Sequence, residues 1–212
     1  MPHAMKLLET PTLTGSHVRL EPLRLEHGVP LVRAASASRT TYGFTYVPQD
    51  LAGMRAYIEE ALEDKARGAS LPFVVMTPEG EPVGSTRYLA IEWWAWHGEP
   101  PPDVPVGPDG VEIGFTWYAE AHQRTGLNTE AKLLLCEHAF EVWRVRRVSF
   151  KTDSRNARSR AAIERIGAKL DGVLRAHRPA ADGTVRDTAF FSMLAREWPA
   201  SKEGMRRRLT PR

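Results

Sequence analysis

The sequence predicts a mixed α/β (α+β) fold in which a mostly antiparallel sheet carries helices on both faces. Residues 71–91 hold two β-rich runs joined by a turn that contains Pro and Gly, which indicates an antiparallel hairpin. An alternating strand at 111–118 is followed by a helical pattern and by another β-rich run at 147–152, which is the order of a β-α-β unit. A chain of 212 residues can build one sizeable core, so we predict a single domain.

The elements before the hairpin are predicted to be one strand and two helices. Residues 17–23 alternate as a strand does, and residues 25–35 have helical spacing, since Pro30 is tolerated near a first turn. Asp50 is a good N-cap for a helix that reaches about residue 67, because the apolar residues that follow are spaced to form one buried face.

The segment 92–110 interrupts this regular pattern. It contains five prolines, three glycines and the tryptophans Trp93, Trp94 and Trp96, and so many prolines disfavour both helix and strand. We predict an insertion or flap whose tryptophans either pack back onto the sheet or line an acceptor site or an oligomer contact.

The strand 111–118 is predicted to be central, with one apolar face formed by Val111, Ile113, Phe115 and Trp117. A helix over 125–142 follows it. After the strand 147–152, a short helix is predicted to begin at Asn156 and to end at Gly167. Two strands near 169–178 and 185–195, joined by a turn at 181–184, complete the fold.

Composition excludes several classes of protein. The one cysteine, Cys136, allows neither an intramolecular disulfide nor a Cys-based zinc cluster, and the histidines lack the spacing of metal ligands, so we predict no metal. No segment approaches the roughly 20 apolar residues of a membrane helix, and residues 1–10 lack the apolar run of a signal peptide. We therefore expect a soluble, cytoplasmic protein.

The net charge of +3 is unevenly distributed along the chain. Residues 201–212 carry a net charge of +4, and we predict that 196–212 is a basic, frayed tail beyond a domain of residues 1–195. Residues 144–165 hold eight Lys or Arg residues against two acids, which is typical of a solvated face and also suits phosphate or nucleic acid.

A polar loop that leads from the strand 111–118 into the next helix is the first functional signal. Unpaired N–H groups and the positive end of the helix dipole favour an anion at a helix N-terminus, and Gly126 removes a side chain where a ligand would approach. Taken alone, this pattern equally fits an ordinary helix cap. The strand with Glu112, this loop, the long helix, a strand and then Asn156-x-x-Ser159 form a recurring order.

That order resembles the GNAT acetyltransferases over about residues 13–195, and especially their ribosomal-protein N-terminal acetyltransferase (RimJ/RimL-like) branch. The family motif for the pyrophosphate, Gln/Arg-x-x-Gly-x-Gly/Ala, falls on Gln123, Gly126 and Asn128, and the asparagine departs from it. The resemblance implies a sheet splayed between the strands 111–118 and 147–152, with acetyl-CoA in the splay. It implies that the coenzyme is bound by Gln123, Arg124, Thr125, Gly126, Leu127, Asn128, Thr129, Asn156, Arg158 and Ser159.

Two residues are predicted to be catalytic. Glu112, on the polar face of its strand, is the candidate base for the incoming ammonium, unless it merely pairs with a neighbouring arginine or faces solvent. The resemblance implies that Ser159 faces the thioester sulfur and protonates the leaving thiolate. Many relatives use a tyrosine where this chain has Ile163, so Tyr118 or water are alternatives. Asn156 is either a helix N-cap or a contact to the pantetheine arm.

These features predict transfer of an acetyl group from acetyl-CoA to a primary amine, by direct attack without an acyl-enzyme. The amine belongs to a protein N-terminus or to a small molecule. The alternatives are transfer of succinyl or another acyl group, and a noncatalytic acyl-CoA-binding regulatory module. Nucleic-acid binding through residues 144–165 is a third alternative and is not favoured. We expect a monomer or a homodimer.

Overall fold

The computed structural model describes residues 8–98 and 107–210. These residues form eight strands: β1 (Leu13–Thr14), β2 (Arg19–Pro22), β3 (Ser70–Met76), β4 (Pro82–Glu92), β5 (Gly110–Tyr118), β6 (Arg147–Asp153), β7 (Lys169–Pro179) and β8 (Val185–Leu194). They also form five α-helices: α1 (Gly28–Ser36), α2 (Leu51–Ala66), α3 (Gly126–Glu137), α4 (Ala157–Arg165) and α5 (Trp198–Leu209). Within the described ranges, no helix is both long and apolar enough to cross a membrane.

The described strands form one sheet in the order β1-β2-β3-β4-β5-β6-β8-β7. Neighbouring strands are antiparallel except β5 and β6, which are parallel. The parallel pair is short, since residues 110–112 pair with residues 147–149 and the strands then separate. We call the opening between residues 113–118 of β5 and residues 150–153 of β6 the wedge. The predicted fold class and the predicted splay are therefore confirmed.

Helices cover both faces of the sheet, because each presents an apolar stripe that must be removed from water. We call the side covered by α3 and α5 the α3 face and the side covered by α1 and α2 the α2 face. Met54 and Ile58 of α2 are fully buried against the sheet, and the side chain of Asp50 caps the helix by accepting a hydrogen bond from Gly53 N at 2.7 Å. The predicted cap and buried stripe of α2 are confirmed.

A β-bulge in β5 overturns the prediction that the odd-numbered residues of this strand share one face. The pairing of β5 with β4 passes from Gly114 opposite Arg87 to Trp117 opposite Ser85, so β5 contains an extra residue. Phe115 has a left-handed backbone (φ 49°), is about half exposed, and separates residues that face opposite sides. Trp117 consequently packs on the α2 face, away from Ile113 on the α3 face. One extra residue reverses every later side chain, and sequence alternation does not reveal it.

The prediction of a frayed basic tail is wrong for residues 198–209, which form α5. Met205 is fully buried in the α3 face, and the Trp198 ring stacks on Phe140 with 5.3 Å between centroids. Lys202 Nζ lies 2.6 Å from a carboxylate oxygen of Glu137 on α3. The run of basic residues concealed this helix, because its two apolar anchors are seven residues apart and its charges find acidic partners on α3.

The predicted insertion lies partly outside the described residues, which stop at 98 and resume at 107. Its described ends are tied together, because Trp94 N donates to Asp109 Oδ2 at 2.8 Å. The rings of Trp94 and Trp96 are 5.9 Å apart and about 40% exposed, whereas Trp93 is half-buried. Trp94 donates to Glu92 of β4 at 3.1 Å, and the Arg146 guanidinium lies 5.2 Å from the centre of the Trp96 ring, so both tryptophans pack partly against this end of the sheet.

Candidate functional site

The wedge is the place where two helices begin. The chain leaves β5 at Tyr118 and starts α3 at Gly126, and it leaves β6 at Asp153 and starts α4 at Ala157. Because β5 and β6 are parallel, these short connections bring the N-termini of both helices to the open end of the wedge. Unpaired N–H groups and two positive dipole ends make this region suited to an anion.

The start of α3 leaves backbone donors free, although part of it is an ordinary cap. Thr125 is the N-cap: its hydroxyl accepts from Leu127 N at 3.2 Å and donates to the His122 carbonyl at 2.9 Å. Arg124 has a left-handed backbone (φ 62°). Within the described ranges, the N–H groups of Arg124 and Thr125 have no hydrogen-bond acceptor. These two predicted residues therefore have N–H groups free for a ligand, whereas the Leu127 N–H is already occupied.

The structure gives a second reason for glycine at position 126, besides the ligand approach that the sequence suggested. A Cβ added at Gly126 would lie 3.1 Å from a ring carbon of His17, so the glycine makes room for that imidazole. His17 is held in turn by Glu130, whose carboxylate accepts hydrogen bonds from the backbone N–H groups of Ser16 and His17. Glu130 therefore anchors the β1–β2 turn to α3, a role that sequence analysis missed.

Gln123 and Arg158, both predicted to bind the coenzyme, contact each other directly and share Thr41 as a partner. Gln123 Nε2 donates to the Tyr118 carbonyl at 2.9 Å and lies 2.8 Å from Thr41 Oγ1. Arg158 donates to Gln123 Oε1 at 3.1 Å and to the Thr41 carbonyl at 2.7 Å. Thr41 belongs to the segment between α1 and α2, and nothing in the sequence marked it. These contacts bring that segment, the α3 loop and α4 together at the open end of the wedge.

Asn156 is the N-cap of α4, which is one of the two roles predicted for it. Its Oδ1 accepts a hydrogen bond from Ser159 N at 3.0 Å. The Ser159 side chain is half-buried, and its hydroxyl forms no hydrogen bond with any residue that the structure describes. Ile163, one turn further on, is buried in the α3 face, and no ionisable group takes the place of the family tyrosine at that position.

Glu112 lies where β5 and β6 part, because it is the last residue of β5 that pairs with β6. Its carboxylate is 7% exposed and forms an ion pair with Lys151, with 2.6 Å between Oε2 and Nζ. The Lys151 ammonium also lies over the Phe190 ring at 4.9 Å. Glu112 therefore pairs with a lysine and not with the arginine that the alternative reading named, and Lys151 is a site residue that sequence analysis missed.

Tyr118, the alternative proton donor, is buried at the end of β5 on the α3 face. Its hydroxyl has no hydrogen-bond partner among the described residues. Burial raises the pKa of Tyr118, so the phenol stays protonated at neutral pH.

Half of the cations in the basic run 144–165 form ion pairs with acidic residues that the structure describes. Arg146, Arg147, Lys151 and Arg155 form ion pairs with Asp109, Glu92, Glu112 and the pair Asp153 and Asp182, respectively. Arg160 donates to the Ser154 carbonyl. These contacts weaken the case for a nucleic-acid surface here, because that surface needs cations that are free to meet phosphates.

Lys132 is a buried cation that sequence analysis did not single out. Its ammonium donates to Thr116 Oγ1 at 2.7 Å, and that hydroxyl lies 2.8 Å from Thr86 Oγ1. Burial lowers the pKa of Lys132 to about 8. These contacts connect α3 to β5 next to the bulge, but no carboxylate among the described residues offsets the charge.

Replacing Lys132 with methionine is expected to stabilise the protein at pH 7 by about 2 kcal/mol. The lowering of the Lys132 pKa from 10.5 to about 8 means that the charged ammonium destabilises the folded protein by roughly 3 kcal/mol. Methionine removes this cost but also removes the hydrogen bond of the ammonium, which stabilises the fold by about 1 kcal/mol. Between pH 8 and 10.5, Lys132 is protonated in the unfolded chain but neutral in the folded protein, so the free energy of unfolding of the wild type rises with pH. The stability advantage of methionine therefore disappears over this pH range.

Urea denaturation of both proteins at pH 7 and pH 10 measures this difference. Burial raises the pKa of the Cys136 thiol to about 12, so above pH 9 this group lowers the free energy of unfolding as pH rises. Both proteins contain Cys136, so this effect is present in each of them. Lys65→Met, on the less buried helix α2, is the control and should change stability by less than about 0.5 kcal/mol. A Lys132→Met protein less stable than wild type at pH 7 would contradict the prediction.

Comparison with known proteins places the chain among acetyltransferases. A family model described as an acetyltransferase (GNAT) domain matches residues 17–169. YdaF of Bacillus subtilis (strain 168), provisionally named a ribosomal N-acetyltransferase, is 35% identical over 92 residues. That alignment covers 43% of this chain and 49% of YdaF, so the chain matches about half the length of this curated relative.

Solved structures extend the similarity over nearly the whole chain. The crystal structure of a GCN5-related N-acetyltransferase from Brucella melitensis has a TM-score of 0.81 and 28% identity, and the match covers 97% of this chain and 88% of that one. Mycobacterium smegmatis RimJ, solved in complex with CoA-disulfide, has a TM-score of 0.76 at 19% identity, with 96% of each chain covered. The likeness to RimJ shows a shared fold.

Proposed function

Because this chain belongs to the GNAT acetyltransferase family, we propose that it transfers an acetyl group from acetyl-CoA to a primary amine. The observation that carries the proposal is the wedge: two parallel strands part at Glu112, and free backbone donors at the start of α3 lie at its open end. The acceptor is the amine of a small molecule or of a protein N-terminus.

In this proposal the residues around the start of α3 bind the coenzyme A pyrophosphate. The free N–H groups of Arg124 and Thr125 and the first-turn N–H groups of α3 supply donors. Arg158, which now donates to Gln123 and Thr41, adds a guanidinium that can bind phosphate oxygens. RimJ, which has the same fold, was solved with a coenzyme A derivative, and this supports the choice of ligand.

The catalytic steps follow from the groups at the vertex of the wedge. Glu112, as a carboxylate, accepts a proton from the acceptor ammonium, directly or through a water molecule. The free amine attacks the thioester carbonyl carbon, the new C–N bond forms, and the C–S bond breaks as the tetrahedral intermediate collapses. The thiolate then takes a proton from Ser159, whose hydroxyl is not engaged elsewhere in the described structure, or from solvent. The attacking nitrogen, which carries one extra proton after the C–N bond forms, gives that proton to the serine oxygen or to solvent, so a neutral amide and a neutral thiol remain.

Calorimetric titration with acetyl-CoA and succinyl-CoA, followed by a free-thiol release assay over a panel of amines, tests this function. We expect acetyl-CoA to bind and an amine to release coenzyme A faster than water does. Absence of coenzyme binding would overturn the proposal. Binding without turnover by any amine would favour a regulatory module, and faster turnover with succinyl-CoA would favour transfer of the larger acyl group.

A further inference from the structure

The β7–β8 hairpin places two arginines directly opposite each other. Arg178 and Arg186 are partners in the antiparallel register, so their side chains share one face. Like charges in this position repel, and natural sheets usually place an acidic residue nearby. Within the described ranges, neither guanidinium forms an ion pair, although Arg155, close by on the chain after β6, has two carboxylate partners.

These arginines lie on the face that carries Glu112 and Lys151. Residues 186, 188 and 190 of β8 alternate onto one side, and Phe190 stands opposite Lys151, the partner of Glu112. Arg186 Nε donates to Thr188 Oγ1 at 3.0 Å, and His177 Nδ1 is 3.0 Å from the same oxygen. A strip formed by Arg186, Thr188 and Phe190 thus runs along β8 to the Glu112–Lys151 pair, and Phe190 is its apolar member.

Positive charge dominates this strip. Burial, followed by the charges of Arg178 and Arg186, lowers the pKa of His177. The nearby Asp153 carboxylate attracts Arg186 without forming an ion pair with it, because both of its oxygens already accept from the Arg155 guanidinium, at 3.0 and 2.7 Å. The strip is therefore an anion site that the chain itself leaves without an anion.

The strip is also open to a ligand. Helices α1 and α2 pack against β3 and β4, so they cover the other half of this face. Phe190 and Arg186 are half-buried, Arg178 is exposed and the Lys151 side chain is 26% exposed. An acceptor whose amine reaches Glu112 would lie along β8 with its far end near the arginines.

We propose that the acceptor carries a carboxylate as well as the amine, and that Arg186, assisted by Arg178, binds this carboxylate. The inference rests on the proposed N-acetyltransferase function and names the chemistry of its second substrate. A guanidinium presents two parallel N–H donors that match a carboxylate. Four residues of extended strand separate Arg186 from Phe190, about 13 Å, so the two groups of the acceptor are separated by a spacer.

Matched pairs of acceptors test the proposal. The small-molecule pair is 6-aminohexanoate and its amide, and the peptide pair is Ala-Glu-Ala-amide and Ala-Gln-Ala-amide. Comparison of the two pairs shows whether the acceptor is a free amino acid or the N-terminus of an acidic peptide. In the wild type, kcat/KM is expected to be at least about tenfold higher for the carboxylate member of one pair. In Arg186→Met this preference should fall below about twofold.

Binding measurements keep this test separate from the proposed function. Calorimetric binding of 6-aminohexanoate and of the Glu peptide to the coenzyme A complex should weaken at least fivefold in Arg186→Met for the preferred probe. Arg208→Met, which removes an exposed arginine on α5, is the matched control and should change nothing. Absence of coenzyme binding in the wild type would overturn the proposed N-acetyltransferase function. Binding of the carboxylate probes would then be measured on the protein without coenzyme A.

Four results would overturn the carboxylate site. The first is equal turnover or binding of the carboxylate and amide members by the wild type. The second is an unchanged preference in a folded Arg186→Met protein, with Arg178→Met giving the same answer. The third is weaker coenzyme A binding in Arg186→Met, which would assign the arginine to the donor site. The fourth is a preference for phosphoethanolamine over 6-aminohexanoate, which would make the bound group a phosphate and not a carboxylate.

Discussion

Glutamine in place of Glu112 is expected to lower kcat for acetyl transfer at least about 100-fold, while the Kd for acetyl-CoA changes less than twofold. General-base catalysis contributes roughly 10²- to 10⁴-fold, and glutamine cannot accept the proton of an ammonium. The change preserves shape, which matters because Glu112 is nearly buried beside Gly114. Thiol release at saturating acetyl-CoA measures kcat, and calorimetry measures the Kd.

The ion pair with Lys151 provides the controls for this experiment. Glu112→Gln leaves the Lys151 ammonium without its partner, so a loss of activity could reflect an unpaired cation. The double variant Glu112→Gln with Lys151→Met removes that cation and should remain equally inactive. Lys151→Met alone retains the carboxylate and should keep activity within about tenfold. Recovery of activity in the double variant would show that Glu112 positions Lys151 instead of acting as the base.

Aspartate in place of Asn128 is expected to weaken acetyl-CoA binding by roughly 10- to 100-fold. Asn128 lies in the first turn of α3, where we propose that the pyrophosphate binds, and a carboxylate there would repel it. Two unit charges about 6 Å apart at an effective dielectric constant of about 20 to 40 repel by roughly 1.4 to 2.8 kcal/mol. Calorimetric titration at low and at moderate salt measures the Kd, and added salt should reduce the difference.

A measurement of thermal stability distinguishes weaker acetyl-CoA binding by Asn128→Asp from unfolding of the variant. An aspartate near a helix N-terminus interacts favourably with the dipole, so the midpoint of thermal unfolding should stay the same or rise slightly. The control Asn128→Ala restores the small residue of the family motif and should bind acetyl-CoA at least as tightly as wild type. Unchanged affinity in Asn128→Asp would remove the start of α3 from the pyrophosphate site.

The order of elements and several caps could be read from local sequence. Asp50 and Asn156 cap their helices as predicted, because an N-cap bond joins residues two or three positions apart. The alternation in β6 and the turn between β3 and β4 were equally local. The wedge was predicted as well, through the likeness of the Gln123–Asn128 segment and its neighbours to a known family.

Residue roles that depend on distant neighbours were not readable from sequence. Gly126 makes room for His17, and Gln123 contacts both Arg158 and Thr41, across sequence separations of 35 residues or more. Lys151 looked like one more member of a basic run until the parallel register set it beside Glu112.

By itself, the sequence determined a mixed sheet with a central β-α-β crossover and an anion-suited helix start, because periodicity, caps and turns are local properties. Only the tertiary structure decided which way each side chain faces beyond the bulge at Phe115, that α5 packs against α3, and which carboxylate each arginine meets. Strand register and helix docking are set by contacts between segments far apart in the chain. Those contacts also left Arg178 and Arg186 facing each other without an acidic partner in the described structure.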